Sequence, residues 1–242
     1  MNKKIGLDQI TNENKLNNVS PDTYKSFNDF IFSEDLKLTG KLLHRFKHFL
    51  EVQHLPGDIV EIGVFKGSGM SSFLKFIEIF CPNSNKKVIG FDIFSREQSG
   101  AILNKDSKLD KDAMNVVYDR VNDSELTLDA VYKRLSDTKT DKFKLIDGDV
   151  EFSMPTFLQE NPGFRASLIY IDVDLERPTY HTLTNMWDRL LPGGVVLFDE
   201  YEYHKFSESI GVERFLKERN MEYTLQSTGW IAPTAFLVKK GF

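Results

Sequence analysis

The chain has 242 residues, enough for one α/β domain with a substantial core. Its formal net charge of −5 argues against a nonspecific nucleic-acid-binding protein, which needs a basic surface. The single cysteine, Cys81, excludes an intramolecular disulfide, and no run approaches the ~20 apolar residues that span a bilayer. These properties predict a soluble, cytoplasmic protein.

The first 38 residues are polar and rich in asparagine, and they predict a helical extension or lid ahead of the main domain. Thr39 is predicted to cap a helix that runs to about His54, because apolar residues follow at helical spacing and Pro56-Gly57 ends the pattern. Residues 39–242 are then expected to form a single domain.

Strands and helices alternate from residue 58 onwards. Buried strands are predicted at 58–63, 86–92, 142–149, 166–174 and after Pro192-Gly193-Gly194, with helices at 68–80, 127–135, 178–191 and about 208–219. Residues 95–125 are predicted as a charged, irregular insertion. This order predicts a Rossmann-like α/β fold: a seven-stranded, mostly parallel sheet with helices on both faces and an antiparallel strand from a C-terminal hairpin.

The first strand runs into a glycine-rich turn, "EIGVFKGSG". Its glycines match neither the dinucleotide motif nor the phosphate-binding motif that needs a Lys-Ser/Thr pair. Glu61 would repel a pyrophosphate but attract a cationic ligand such as S-adenosylmethionine. A tight strand-to-helix turn with no ligand remains an alternative for this segment.

Acidic residues end the other strands as well. Ligands of open parallel sheets bind beyond the carboxyl ends of the strands. Asp92, at the end of the second strand, is placed to bind two ribose hydroxyls, and Asp149, after the third, to face an adenine amino group. Either residue alone is also compatible with a turn-forming aspartate.

Asp172 ends the fourth strand, and Asp199-Glu200 end the fifth. If these strands are neighbours, three carboxylates converge, and such a set of oxygen donors suits Mg²⁺ rather than zinc. Asp174 is a competing ligand, and a solvated acidic rim without metal is the alternative.

Together the segments "GDIVEIGVFKGSG", "VIGFDIF", "LIDGDVE", "IYIDVDLERPTYHTL" and "LLPGGVVLFDEYEY" resemble class I S-adenosylmethionine-dependent methyltransferases, and most closely the macrocin/mycinamicin-type sugar O-methyltransferases. The resemblance runs from about Thr39 to the C-terminus. It implies a magnesium-dependent enzyme that methylates a sugar hydroxyl. A homo-oligomer, a dimer, is also expected. It implies donor contacts from Glu61, Gly63, Gly67, Ser68, Asp92 and Asp149, and metal ligation by Asp172, Asp199 and Glu200. Glu200 departs from the family, where a second aspartate is usual.

In that mechanism the metal binds the acceptor hydroxyl and lowers its pKa, and a general base assists. The candidate bases are Asp172, Asp174, His181 and His204. His204 follows the predicted metal pair closely, whereas His181 lies one turn into a helix, where a lone histidine is more often a surface residue.

Three other functions remain open. A catechol- or phenol-type acceptor is one, because the same metal site would bind any pair of neighbouring hydroxyl groups. A non-catalytic binding protein would keep the donor pocket without the chemistry, and Glu200 keeps that reading open. A nucleotide-sugar oxidoreductase is disfavoured, because the dinucleotide glycine motif is absent.

Overall fold

The computed structural model describes residues 20–103, 107–138 and 140–241. The helices are α1 (Pro21–Ile31), α2 (Leu36–Val52), α3 (Ser68–Phe80), α4 (Arg96–Leu103), α5 (Lys108–Tyr118), α6 (Leu128–Ser136), α7 (Val150–Glu160), α8 (Glu176–Met186) and α9 (Glu208–Glu218). The strands are β1 (Asp58–Ile62), β2 (Val88–Asp92), β3 (Phe143–Asp147), β4 (Ala166–Ile171), β5 (Leu190–Phe198), β6 (Gln226–Ser227) and β7 (Ala235–Val238). None of the helices in these ranges has the length and apolar character required to cross a membrane.

Across the described residues the sheet has seven strands in the order β3-β2-β1-β4-β5-β7-β6. Strands β1 to β5 pair in parallel, and the C-terminal hairpin adds β7 antiparallel to β5 and β6 antiparallel to β7. The chain reverses its direction of winding between β1 and β4, which are neighbours. The predicted fold class and antiparallel C-terminal strand are confirmed.

The sheet buries both faces, because alternate strand residues point to opposite sides. In β4, Leu168 and Tyr170 join a core with α2, α3 and α6, whereas Ile169 and Ile171 join a core with α7, α8 and α9. A sheet covered on both faces explains why its strands read as continuous apolar runs.

The structure differs from the prediction in three segments. The segment 95–125, predicted as irregular, contains α4 and α5, and the Ser107 side chain caps α5 by accepting from the Asp110 backbone. Helix α7, which was not predicted, carries Pro155 in its interior. Helix α2 begins three residues before Thr39, because Asp35 Oδ1 accepts a hydrogen bond from the Leu38 backbone N–H and so supplies the cap.

The chain divides into two compact units, one up to Thr39 and one from Gly40 onwards. In the first unit, the Ser20 side chain caps α1 by accepting from the Thr23 backbone N–H, and Pro21 occupies the first helical turn. The second unit contains the whole sheet and all the predicted site residues.

Candidate functional site

The glycine-rich turn follows β1 at the point where the sheet reverses its winding. Gly63, Phe65 and Gly67 all have positive φ, of +87°, +53° and +88°. A Cβ atom on Gly63 would lie 2.0 Å from the carbonyl oxygen of Asp172, so a side chain has no room there. The turn therefore passes directly against the end of β4 before α3 begins.

Asp92 fixes this turn. Its Oδ2 accepts a hydrogen bond from the Phe65 backbone N–H at 2.7 Å, and its Oδ1 accepts one from the Ile93 backbone N–H at 2.7 Å. Oδ1 also accepts a longer hydrogen bond from the Phe94 backbone N–H at 3.4 Å. Each carboxylate oxygen has two lone pairs, so a bound hydroxyl can still donate to Oδ2. The structure thus brings Asp92 to the glycine turn, as the ribose hypothesis requires.

Glu61 lies beneath the turn rather than in it. Its side chain is 1% exposed, with Oε1 3.4 Å from the Arg45 guanidinium and so close to Gly69 that a Cβ there would clash. Burial raises the pKa of Glu61 to about 7, although Arg45 lowers it. Its Oε2 is buried and has no hydrogen-bond partner among the described residues. Ser68, the first residue of α3, is exposed.

Asp149 caps α7, with Oδ1 accepting from the Glu151 backbone N–H at 3.1 Å. Its Oδ2 accepts from the Arg177 guanidinium at 2.8 Å, and Arg177 also contacts Glu151. Asp149 is therefore engaged by the protein on both oxygens and belongs to the β3–α7 junction.

Asp172 and Asp199 come together at the ends of β4 and β5. The Lys41 ammonium lies between them and donates to Asp172 Oδ2 and Asp199 Oδ2, at 2.8 Å in each case. Arg45, one turn along α2, lies 3.4 Å from Asp172 Oδ2 and 4.6 Å from the centre of the Tyr170 ring. The Tyr170 hydroxyl donates to Asp199 Oδ1.

The two carboxylates have different environments. Burial would raise the pKa of Asp199, but Lys41 and the hydrogen bonds from Lys41 and Tyr170 outweigh it and lower the pKa. Burial and the neighbouring Asp199 raise the pKa of Asp172 above its ordinary value. Asp172 is also the more accessible of the two, with its side chain 21% exposed against 3% for Asp199.

Asp174 and Glu208 form a second acidic group beside Asp172 and Asp199. The fully buried Glu208 accepts from the Glu200 backbone N–H through Oε1 at 3.1 Å. Burial, followed by Asp174 and Asp199, raises the pKa of Glu208 well above its ordinary value. Burial also raises the pKa of Asp174, with contributions from Asp172, Asp199 and Glu200. Glu200 thus helps to raise the pKa of Asp174. The Glu200 backbone N–H is held by the Glu208 carboxyl.

These carboxylates as arranged do not fit a magnesium ion. Asp172 and Asp199 supply hard oxygen donors, but the Lys41 ammonium occupies the position that both oxygens share. Over the ranges that the structure describes, no three or more His, Cys, Asp or Glu side chains are grouped as metal ligands. The predicted magnesium site formed by Asp172, Asp199 and Glu200 stays a prediction.

The two candidate histidines lie outside the carboxylate pair. His181 Nε2 is 3.9 Å from Glu151 Oε1, and its ring packs on Tyr180. His204 is exposed in the loop after β5 and packs against Tyr203. Neither histidine is paired with Asp172 or Asp199.

Lys41 and Arg45 were not singled out from the sequence. Their spacing of four residues places them on one face of α2, and both are charged side chains inside a segment predicted from its apolar periodicity. A charged pair on the buried face of a helix is the signal that identifies them, because such charges need partners.

Comparison with known proteins shows which family the sequence matches. A sequence profile described as macrocin-O-methyltransferase (TylF) matches residues 39–235. The chain is 27% identical over 150 residues to the 8-demethyl-8-(2,3-dimethoxy-alpha-L-rhamnosyl)-tetracenomycin-C 4'-O-methyltransferase of Streptomyces olivaceus. That alignment covers 61% of this chain and 54% of the relative, so the chain spans about half of the relative's length.

Two solved structures share the fold. A crystal structure of CalS11, a calicheamicin methyltransferase, superposes with a TM-score of 0.69 at 24% identity, covering 92% of this chain and 87% of that one. The apo structure of CalS11, described as a TDP-rhamnose 3'-O-methyltransferase, gives a TM-score of 0.65 at 26% identity, covering 90% and 87%.

Proposed function

The chain belongs to the macrocin-O-methyltransferase (TylF) family, and from that premise we propose that it transfers a methyl group from S-adenosylmethionine to a hydroxyl group of a deoxysugar, either nucleotide-linked or glycosidic. The observation that carries the proposal is the contact between the glycine turn and the end of β4. Gly63 abuts the backbone of Asp172, so a donor held by the turn and an acceptor held by the carboxylate would be neighbours.

The donor is assigned to Glu61, Gly63, Gly67, Ser68, Asp92 and Asp149. Two observations support its fit: the unpartnered, buried Oε2 of Glu61, and the Asp92 carboxylate at the turn. When bound, S-adenosylmethionine supplies an electrophilic methyl group to the acceptor oxygen. The turn holds and orients the donor, so that proximity provides a large part of the rate.

Asp172 is the proposed general base. Its Oδ2 is held by Lys41 and Arg45, whereas its Oδ1 has no hydrogen-bond partner among the described residues. That oxygen is free to accept the proton of the acceptor hydroxyl as the oxygen forms its bond to carbon. His181 and His204 contact other side chains, and Asp174 lies beside Glu200 and Glu208, so these three are the weaker candidates.

The proposed sugar class comes from the relatives, whose names specify rhamnosyl and TDP-rhamnose methylation. The proposal contains no metal step, because Lys41 occupies the predicted magnesium position. Magnesium dependence and a homodimer, both predicted from the sequence, remain predictions.

The test is transfer of a tritiated methyl group from S-adenosylmethionine to TDP-rhamnose, a rhamnosyl glycoside and a catechol. We expect methylation of a sugar acceptor and a rate at least ~100-fold lower in Asp172→Asn, which lacks the base. Asp188→Asn, a change at an exposed aspartate, is the matched control. Methylation of catechol alone would show that the acceptor is a catechol and not a sugar. Full activity of Asp172→Asn would show that Asp172 is not the general base.

A further inference from the structure

Lys41 is held where a cation shared by Asp172 and Asp199 would sit. Its Nζ lies 2.8 Å from one oxygen of each carboxylate, and the two carboxylates come from adjacent parallel strands. The side chain is only 17% exposed. Its ammonium is also 5.9 Å from the centre of the Tyr170 ring, an electrostatically favourable position for a cation.

A magnesium ion and this ammonium exclude each other. Mg²⁺ binds carboxylate oxygens at about 2.0–2.1 Å, so an ion held by Asp172 Oδ2 and Asp199 Oδ2 would lie almost on Lys41 Nζ. Two cations at that separation in a buried site repel strongly. Metal binding through these two oxygens therefore requires Lys41 to leave and to give up both of its ion pairs.

Lys41 also has a donor left for a polar ligand. An ammonium group has three donors, and two are used by Asp172 and Asp199. No third acceptor for Nζ is found within the part of the chain that the structure describes. The remaining donor and the free Oδ1 of Asp172 can bind one hydroxyl group together, the first donating to its oxygen and the second accepting its proton.

We propose that Lys41 is the resident cation of this site, that it excludes divalent metal ions from Asp172 and Asp199, and that it holds the acceptor oxygen in place of a metal. The role toward the acceptor rests on the proposed function, whereas the exclusion of metal does not. Lys41 would stabilise negative charge on the acceptor oxygen as the proton moves to Asp172.

The first test is Mn²⁺ binding, measured by electron paramagnetic resonance on metal-stripped protein without a methyl donor. We expect no site tighter than about 1 mM in the wild type, and at least ten-fold tighter binding in Lys41→Met, because the freed carboxylates attract the ion. Lys47→Met, a change at an exposed lysine on the same helix, should behave as the wild type does. Wild-type binding equal to or tighter than that of Lys41→Met overturns the proposal.

The second test needs no variant at Lys41, which covers the case in which Lys41→Met does not fold. Lysines of the wild type are acetylated briefly with and without 10 mM Mg²⁺ and quantified by mass spectrometry. We expect Lys41 to stay protected in both samples and Lys47 to react in both. A rise in Lys41 labelling with Mg²⁺ overturns the proposal. Because neither test uses methyl transfer, failure of the proposed function and failure of this inference give different results.

Discussion

Gly63 shows how one residue controls both the fold and the candidate site. The replacement Gly63→Ala places a methyl group 2.0 Å from the carbonyl oxygen of Asp172 at a φ of +87°. We expect a loss of roughly 1–3 kcal/mol or more in the free energy of unfolding, because strain and a backbone clash combine. Urea unfolding measures this loss.

The matched control is Gly100→Ala. Gly100 lies in α4, and its added Cβ would meet nothing within 4 Å. This variant should be as stable as the wild type or slightly more stable, because alanine favours helix over glycine. Equal stability of the two glycine variants would contradict the close approach of the turn to β4.

Tyr170 tests the buried electrostatics. Its hydroxyl is fully buried and donates to Asp199 Oδ1. Tyr170→Phe should lower the free energy of unfolding by about 1–3 kcal/mol, because the buried carboxylate loses a donor. Tyr132→Phe, at a residue 58% exposed, is the control and should change stability little. Tyr170→Phe with wild-type stability would contradict the hydrogen bond.

Residue types at strand ends could be predicted from the sequence, because a buried strand that stops at an aspartate is visible in the chain. Asp92, Asp172 and Asp199 all lie at the predicted edge. The partners of these residues could not be predicted in the same way. Lys41 and Arg45 reach the site from a helix about 130 residues away in sequence, and only the fold brings them there.

Helix α2 carries a buried histidine, His48, whose contribution to stability should depend on pH. His48 is fully buried, packs 4.6 Å from the Phe236 ring centre, and has an unpartnered Nε2. Burial lowers the pKa of His48 despite its contact with Glu51. The unfolded chain therefore binds a proton at His48 more readily below about pH 6.5, and the contribution of His48 to stability should fall as the pH drops through that value.

Urea unfolding between pH 8 and pH 5 checks this expectation. His48→Phe keeps a ring beside Phe236 and removes the titrating group, so its stability should fall less over this range than that of the wild type. His54→Phe removes an exposed imidazole near the end of the same segment and is the control. Parallel profiles for the wild type and His48→Phe would contradict the assignment.

The elements that could not be predicted have physical reasons. Helix α7 was missed because Pro155 lies in its interior, where a proline lacks the N–H for one helical hydrogen bond and usually signals a helix end. Helices α4 and α5 were missed because charged side chains dominate their composition, and few of their residues are buried. By contrast, the strands of the sheet are buried on both faces, so their apolar runs are visible in the sequence.

At the scale of the whole molecule, the site combines an acidic sheet edge with two cations from α2. If Lys41 provides the positive charge, methyl transfer should keep its rate in excess EDTA. Initial rates with EDTA, with EDTA followed by Mg²⁺, and without additions measure this dependence. Loss of activity in EDTA that Mg²⁺ restores would show that a metal, and not Lys41, supports the reaction.

Calorimetric titration of S-adenosylhomocysteine tests whether the glycine turn binds a methyl donor. We predict micromolar binding to the wild type, about −8 kcal/mol, and at least ten-fold weaker binding to Asp92→Ala, which loses the anchor of the turn. Asp119→Ala, at an exposed aspartate, should bind as the wild type does. Absence of binding to folded wild-type protein would rule out a methyl-donor site at the glycine turn.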